Sequence, residues 1–173
     1  MMFAGKRVRE TGVPQDSCLS PELASAYFYD AYEVRQGQGG RSGESALQVA
    51  LRLAGTAPPW FDFLMTTRNR IVGWFGLKNL GRLSAVDRNK APGDYRIGDR
   101  IGIFTLLSVT PEEVILGDDD KHLRAQISVF KRRNVTISTV VHVHNFLGRA
   151  YLFFVIPAHR LIVPPLLKRL ATV

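Results

Sequence analysis

The chain has 173 residues, of which 46% are hydrophobic and 22% charged, and it carries a formal net charge of +8. These values indicate one globular domain that is long enough to bury a core. The single cysteine, Cys18, excludes an internal disulfide framework and is typical of a reducing compartment, so a cytoplasmic location is expected. The positive charge favours phosphates or anionic membrane surfaces as partners. Because no zinc-finger spacing or phosphate-binding loop accompanies the basic residues, no specific nucleic-acid partner is predicted.

The first half of the chain predicts a leader, one strand and two helices. Residues 1–26 carry charges but no apolar centre, so they are not a secretory signal and are interpreted as a flexible leader before a single domain over 27–173. Aromatic and β-branched residues predict a strand over 27–35. Apolar residues at helical spacing then predict one short helix over 43–56 and a second over 60–77.

The period of the apolar residues changes from helical to two after the polar stretch 78–96. Four strands are predicted, over residues 101–109, 112–117, 122–130 and 135–144. Their connections are too short for parallel crossovers, so the strands are expected to form antiparallel hairpins. The run Asp118-Asp119-Asp120 lies in one of these connections and is interpreted as a turn rather than a metal site.

A long helix is predicted after the last strand, with Asn145 as its N-cap. Arg149 and the pair His159-Arg160 interrupt its apolar run, so a transmembrane segment is not predicted. Pro157 is expected to kink the helix, and Pro164-Pro165 to end it. The predicted core stripe consists of Leu147, Tyr151, Phe154, Ala158 and Leu161.

These elements together predict an α+β fold. The expected architecture is a curved antiparallel sheet, two short helices after the first strand, and the long C-terminal helix packed across the sheet. A helix that lies across a curved sheet leaves space between the two, and this geometry favours a ligand cavity.

The histidines have several interpretations. His142 and His144 are two apart on a predicted strand and therefore point to one face. A metal site needs at least three converging donors, and no metal or cofactor is predicted. Both side chains fit a solvated outer face of the strand; alternatively, His144 and Asn145 anchor the corner between strand and helix. His159 fits either the surface or a pocket.

Three stretches carry a family resemblance: YRIGDRIGIF, LGDDDKHL and HNFLGRAYLFFVIPAHRLIV. Together they resemble the bacterial family of domains of unknown function 2867. The resemblance implies a helix-grip fold, as in the START and pollen-allergen lipid-binding proteins. That fold has two more strands than the four of the predicted meander, and they are expected within residues 78–100. The family has no established catalytic residues, so none is carried over.

The function predicted is the binding of a small apolar molecule, such as a lipid or a polyketide-like compound, between sheet and C-terminal helix. The polar contacts of this ligand would be His142, His144 and His159. Its apolar wall would consist of Trp60, Phe63, Tyr151, Phe154 and Val155. Two alternatives stay open. One is an enzyme with a pocket histidine as general acid or base, which no catalytic motif favours. The other is a module that contacts an anionic membrane surface or a protein.

Overall fold

The computed structural model describes residues 8–35, 43–56, 66, 87 and 90–170. The fold is α+β, as predicted, with an antiparallel sheet of seven strands and a long C-terminal helix. The strands are β1 (Val8–Glu10), β2 (Phe28–Val34), β3 (Arg100–Ile101), β4 (Phe104–Val109), β5 (Glu113–Asp119), β6 (Leu123–Lys131) and β7 (Val135–Val143). The α-helices of the described residues are α1 (Ala46–Gly55) and α2 (Phe146–Leu170), and short 3-10 helices span Ser20–Ser25 and Pro92–Asp94.

The strand order is β1-β2-β7-β6-β5-β4-β3, and every neighbouring pair is antiparallel. The predicted meander is therefore confirmed. Its first strand, predicted over 101–109, is divided between β3 and β4 at Gly102, whose φ of 60° permits a tight turn that other residues rarely adopt. The predicted aspartate turn is confirmed only at Asp120, whose Oδ1 accepts hydrogen bonds from the backbone nitrogens of His122 (2.7 Å) and Leu123 (3.0 Å); Asp118 and Asp119 belong to β5.

The first predicted helix is confirmed as α1. Ser45 is its N-cap, and a capping box joins the Ser45 hydroxyl to the Gln48 backbone and the Gln48 side chain to the Ser45 backbone. One face of α1 packs into the core through Ala46, Leu47, Val49, Ala50 and Ala54. Apart from Thr66, the second predicted helix, over 60–77, lies outside the described residues, and so do Trp60 and Phe63.

Residues 8–26 differ from the expected flexible leader. Residues Val8–Glu10 form the edge strand β1, which pairs with β2. Leu19 is only 1% exposed and packs with Ile115 and Val140 on the sheet. This segment is ordered because its few apolar side chains cover one face of the sheet. These apolar residues are isolated in the sequence, so they form no continuous apolar run that would predict their burial. The two further strands that the resemblance implies were expected within residues 78–100, of which 78–86 and 88–89 lie outside the described residues; β3 begins at Arg100, the last residue of that range.

The helix α2 differs from its prediction at its C-terminal end. It continues through Pro164-Pro165 to Leu170 instead of ending there. Leu166, Leu167 and Leu170 are buried in the core, and an Arg52 guanidinium nitrogen of α1 donates to the Leu170 carbonyl oxygen (3.1 Å). The burial of three leucines offsets the backbone hydrogen bonds that the prolines remove.

The core stripe predicted for α2 is wrong at Phe154, Ala158 and Leu161, which are exposed, whereas Leu147 and Tyr151 are partly buried. Phe154 and Leu161 are 74% and 77% exposed, whereas Leu152 and Gly148 are buried. The buried face is thus turned away from the predicted one. Apolar residues surround this helix on all sides, so their period does not determine which side faces the sheet. The orientation is instead determined by close contacts, of which Gly148 is one: a Cβ there would collide with the His122 carbonyl oxygen.

The two faces of the sheet have different covers. The inner face carries alternate residues such as Tyr32, Ile137 and Val129, and it packs on α1 and the C-terminal end of α2. The outer face carries Ser138 and Val140, which are fully buried beneath residues 17–26. The outer face was expected to be solvated, and this prediction is corrected: the residues point outward as predicted, but the N-terminal segment covers them.

Candidate functional site

A polar pair lies where α2 crosses the inner face of the sheet. His159 of α2 places Nε2 3.0 Å from Oδ2 and 3.3 Å from Oδ1 of Asp30, a β2 residue. The Asp30 side chain is 5% exposed and the His159 side chain 22% exposed. Although Oδ2 is the nearer oxygen, its geometry is not that of a hydrogen bond, so among the described residues this buried oxygen has an ion-pair contact but no hydrogen bond. Such an atom is costly to bury, and this makes it a candidate for ligand contact.

Aromatic rings surround the pair. Phe28, two residues before Asp30 on the same face of β2, makes an edge-to-face contact with the His159 ring, with centroids 5.7 Å apart. Tyr32 lies two residues after Asp30 on that face and is buried. Burial raises the pKa of the Tyr32 hydroxyl, and the negative charge of Asp30 raises it further. Tyr32 therefore stays neutral at physiological pH and can donate a hydrogen bond.

In the part of the chain that the structure describes, the inner face beside this pair is only partly buried, and we call this region the open inner patch. Its residues are all only partly buried: Leu123, Ala125 and Ile127 of β6, with Thr139 and Val143 of β7. Register joins the patch to the polar pair, because Thr139 lies opposite both Asp30 and Ile127. On the outer side of the same strands, Ser128, Ser138 and Val140 are fully buried. The open inner patch is thus an apolar surface that ends at a buried carboxylate.

Three of the predicted site residues lie along one side of α2. Tyr151, Val155 and His159 follow one another at intervals of four, so they form one line on the helix. All three are partly buried, and His159 shows that this line faces β2. The structure therefore brings these three side chains together near the sheet.

Two other predicted contacts lie elsewhere. Phe154 is exposed on the side of α2 that faces away from the sheet, so it does not contribute to a wall there. His142 points to the outer face, where Nε2 lies 3.2 Å from the Ser25 hydroxyl and Nδ1 lies 3.9 Å from Glu22. Arg124 donates to the same Glu22 carboxylate at 2.6 Å. The sheet thus separates His142 from His159.

His144 lies at the corner between β7 and α2. Its Nε2 is 3.0 Å from the Asp119 carboxylate. Next to it, Asn145 Oδ1 accepts from the Gly148 backbone nitrogen (3.1 Å), and Asn145 Nδ2 donates to the Lys121 carbonyl oxygen (2.8 Å). The predicted N-cap and the predicted anchoring of the corner are confirmed. An open pocket of about 160 Å³ lies here, which is smaller than ordinary small-molecule sites of about 300–1,000 Å³.

Comparison with known proteins assigns the chain to a family. The model of the family of proteins of unknown function DUF2867 matches residues 23–166, which include both the polar pair and the open inner patch. The chain belongs to the DUF2867 family. No curated protein and no solved structure matches the chain significantly. Among the described residues of this DUF2867 protein, no group of three or more histidine, cysteine or acidic side chains could hold a metal ion.

A second buried carboxylate of the DUF2867 protein, Glu113, lies on the outer face. Together with its hydrogen-bond donors it forms what we call the Glu113 cluster. Glu113 Oε1 accepts hydrogen bonds from Ser17 (2.5 Å) and Ser128 (2.6 Å), and Oε2 accepts one from the Cys18 backbone nitrogen (2.9 Å). Burial alone would raise the pKa of Glu113, but these hydrogen bonds hold it below its usual value. Two of the hydrogen-bond donors, Ser17 and Cys18, belong to the N-terminal segment, whereas Glu113 belongs to β5. The Glu113 cluster therefore attaches the N-terminal segment to the sheet.

Sequence reasoning missed Asp30 as a site residue. It was placed correctly in a strand, where it shares one face with Phe28 and Tyr32. The available signal was a lone carboxylate on the core-facing side of an aromatic strand, since such residues are rarely buried without a partner. That signal does not identify the partner, which lies 129 residues further along the chain.

Proposed function

We propose that this DUF2867 protein binds a small apolar molecule that carries a polar group, in the space between the open inner patch and α2. We further propose that the fold is a helix grip of the START type. The expected cytoplasmic location stays a prediction that fits this role.

The observation that carries the proposal is the position of the Asp30–His159 pair at the end of the open inner patch. The patch offers apolar atoms to the body of a ligand. The pair offers a carboxylate and an imidazole to its polar end. Pockets that orient a ligand in this way combine a mostly apolar surface with a few placed polar groups.

The hydroxyl of Tyr32 supports the same orientation. Its raised pKa keeps it protonated. A carbonyl or hydroxyl oxygen of the ligand near Asp30 could therefore accept a hydrogen bond, while Asp30 accepts one from a ligand hydroxyl. We expect a ligand with a hydroxyl or carbonyl group at one end rather than a pure hydrocarbon.

Native mass spectrometry of the protein purified from cells tests the proposal first, and a co-purified small molecule supports it. A second assay uses the neutral fluorescent probe N-phenyl-1-naphthylamine. Ala125→Phe fills the open inner patch and should weaken probe binding at least about tenfold. The matched control is Ala24→Phe, an exposed position on the 3-10 helix of the outer face. Equal binding by both variants contradicts the proposed location.

The same pair favours a second candidate, an enzyme in which His159 is a general base. Asp30 lies at one ring nitrogen of His159, which leaves the other nitrogen to accept a proton from a hydroxyl or water. Hydrolysis of p-nitrophenyl butyrate by the wild type, lost in His159→Gln with probe binding intact, would support this candidate. Absence of turnover with intact probe binding favours the binding module.

A further inference from the structure

The side of α2 that faces away from the sheet carries a row of large exposed apolar residues. Phe146, Phe153, Phe154 and Leu161 are 83%, 73%, 74% and 77% exposed. Their spacing of seven, eight and fifteen residues places them on one side of the helix, opposite Leu152 and His159. We call this row the outer stripe. Contiguous exposed apolar surface of this kind marks a site that contacts a membrane or another macromolecule.

The charged side chains of α2 beside the outer stripe are all positive. Arg149 and Arg160 lie along one edge of it, and neither guanidinium has an acidic partner within the described part of the chain; each lies over an aromatic ring. Helix α2 contains no aspartate or glutamate, whereas Lys168 and Arg169 add further positive charge in its last turn. The whole chain has a net charge of +8.

We propose that the outer stripe docks on the surface of an anionic phospholipid bilayer. The phenylalanine rings would enter the boundary between headgroups and acyl chains, and the two arginines would contact lipid phosphates. Helices bind at this boundary when apolar area and basic charge lie side by side. The Tyr27 ring, about half exposed beneath Arg149, adds an aromatic residue of the type that favours membrane interfaces.

Charge disfavours a second copy of the chain as the occupant. Two outer stripes that packed together would bring the Arg149 and Arg160 edges of both helices into one interface with no carboxylate on α2 to compensate them. Like charges in a desolvated interface oppose association. An anionic bilayer supplies the missing negative charge.

The packing of α2 determines that the helix lies on the bilayer rather than across it. By length and composition, α2 could cross a membrane. However, Leu152, Leu166 and Leu167 are buried against the folded domain, and His159 contacts Asp30. A spanning orientation would break all these contacts. The inference concerns the opposite side of the helix from the proposed ligand site, and it does not depend on that site.

Co-sedimentation with vesicles tests the inference. The wild type should bind vesicles of phosphatidylcholine with 30% phosphatidylglycerol, and the partition coefficient should fall as salt rises, with little binding to pure phosphatidylcholine. Binding that resists alkaline carbonate extraction would indicate a spanning helix and would overturn the inference.

Matched variants separate the apolar and the charged contributions. Phe153→Ser with Phe154→Ser should reduce partitioning about tenfold or more, whereas Ile97→Ser with Val109→Ser, exposed apolar positions elsewhere, should leave it unchanged. All four side chains are exposed, so the variants are expected to fold.

The charge variants have the same design. Arg149→Gln with Arg160→Gln should reduce partitioning about fivefold for each arginine. The control, Arg132→Gln with Arg133→Gln in the β6–β7 turn, has the same net charge and should retain most of the binding. Equal losses in both pairs would mean that net charge alone drives binding, and this result overturns the docking surface. Dimers that light scattering detects and that Phe153→Ser abolishes would overturn it as well.

Discussion

Replacement of Glu113 by glutamine is expected to lower the free energy of unfolding by about 1–2 kcal/mol at pH 7. The carboxylate accepts three hydrogen bonds from the Ser17 and Ser128 hydroxyls and the Cys18 backbone nitrogen, besides its contact with the exposed Cys18 thiol. A glutamine can keep all three contacts, because its amide donates to the two hydroxyls and its carbonyl oxygen accepts from Cys18. The loss is therefore only the difference between charge-assisted and neutral hydrogen bonds, reduced by the easier burial of a neutral group.

Replacement of Glu113 by leucine removes the acceptor altogether. Three buried donors then lose their partner, and the expected loss is about 3–5 kcal/mol, because each unsatisfied donor costs about 1–3 kcal/mol and hydroxyls can partly reorient. Urea denaturation, followed by circular dichroism, measures both variants against the wild type. Equal losses for glutamine and leucine would refute the reasoning, since packing rather than hydrogen bonding would then decide the stability.

The pH dependence has a definite sign. Because the folded-state pKa of Glu113 lies below its ordinary value of 4.5, its contribution is fully present above that value and disappears as pH falls through the folded-state pKa. The stability difference between wild type and Glu113→Gln should therefore be constant from about pH 6 to 8 and shrink below about pH 4.5. A difference that stays constant down to pH 3 would contradict the assignment.

The remaining predictions concern the N-terminal segment and the corner of α2. Leu19→Ala should lower the free energy of unfolding by about 2–5 kcal/mol, a loss that a flexible leader would not show in urea denaturation. Gly148→Ala forces a Cβ against the His122 carbonyl oxygen, so we expect a loss of about 1–3 kcal/mol in the same assay, with Gly12→Ala as a control that meets no atom. A hydrogen bond with the Glu113 carboxylate raises the pKa of the Cys18 thiol, and Glu113→Gln should therefore accelerate its reaction with 5,5′-dithiobis(2-nitrobenzoic acid) at pH 7.5; an unchanged rate would count against this contact.

The strands and turns of the meander could be predicted because their signals are local. Alternation of apolar residues, short connections and the aspartate turn at Asp120 all act within a few residues along the chain. The N-cap Asn145 is equally local, and the structure confirms it. Such features depend on backbone geometry that neighbouring residues determine.

The candidate site could be predicted only in part. His159, Tyr151 and Val155 were chosen because they lie on an apolar helix, and they do lie together on the side near the sheet. His142 was chosen with them, but it lies on the other face. Asp30 was missed. The alternation of residues along β7 distinguishes the inner from the outer positions. It does not predict which segment of the chain covers each face.

The sequence by itself determined the α+β class, the antiparallel meander and the presence of a long apolar C-terminal helix, since these follow from periodicity and chain connectivity. Only the tertiary structure decided the rotation of α2 and the cover over the outer face. A helix that is apolar on all sides has no preferred side in its sequence. The close approach of the His122 carbonyl oxygen to Gly148 and the contact between His159 and Asp30 select the side that faces the sheet. Gly148 and His122 are 26 positions apart and His159 and Asp30 are 129 apart, so the energies of these contacts depend on geometry that no local pattern records.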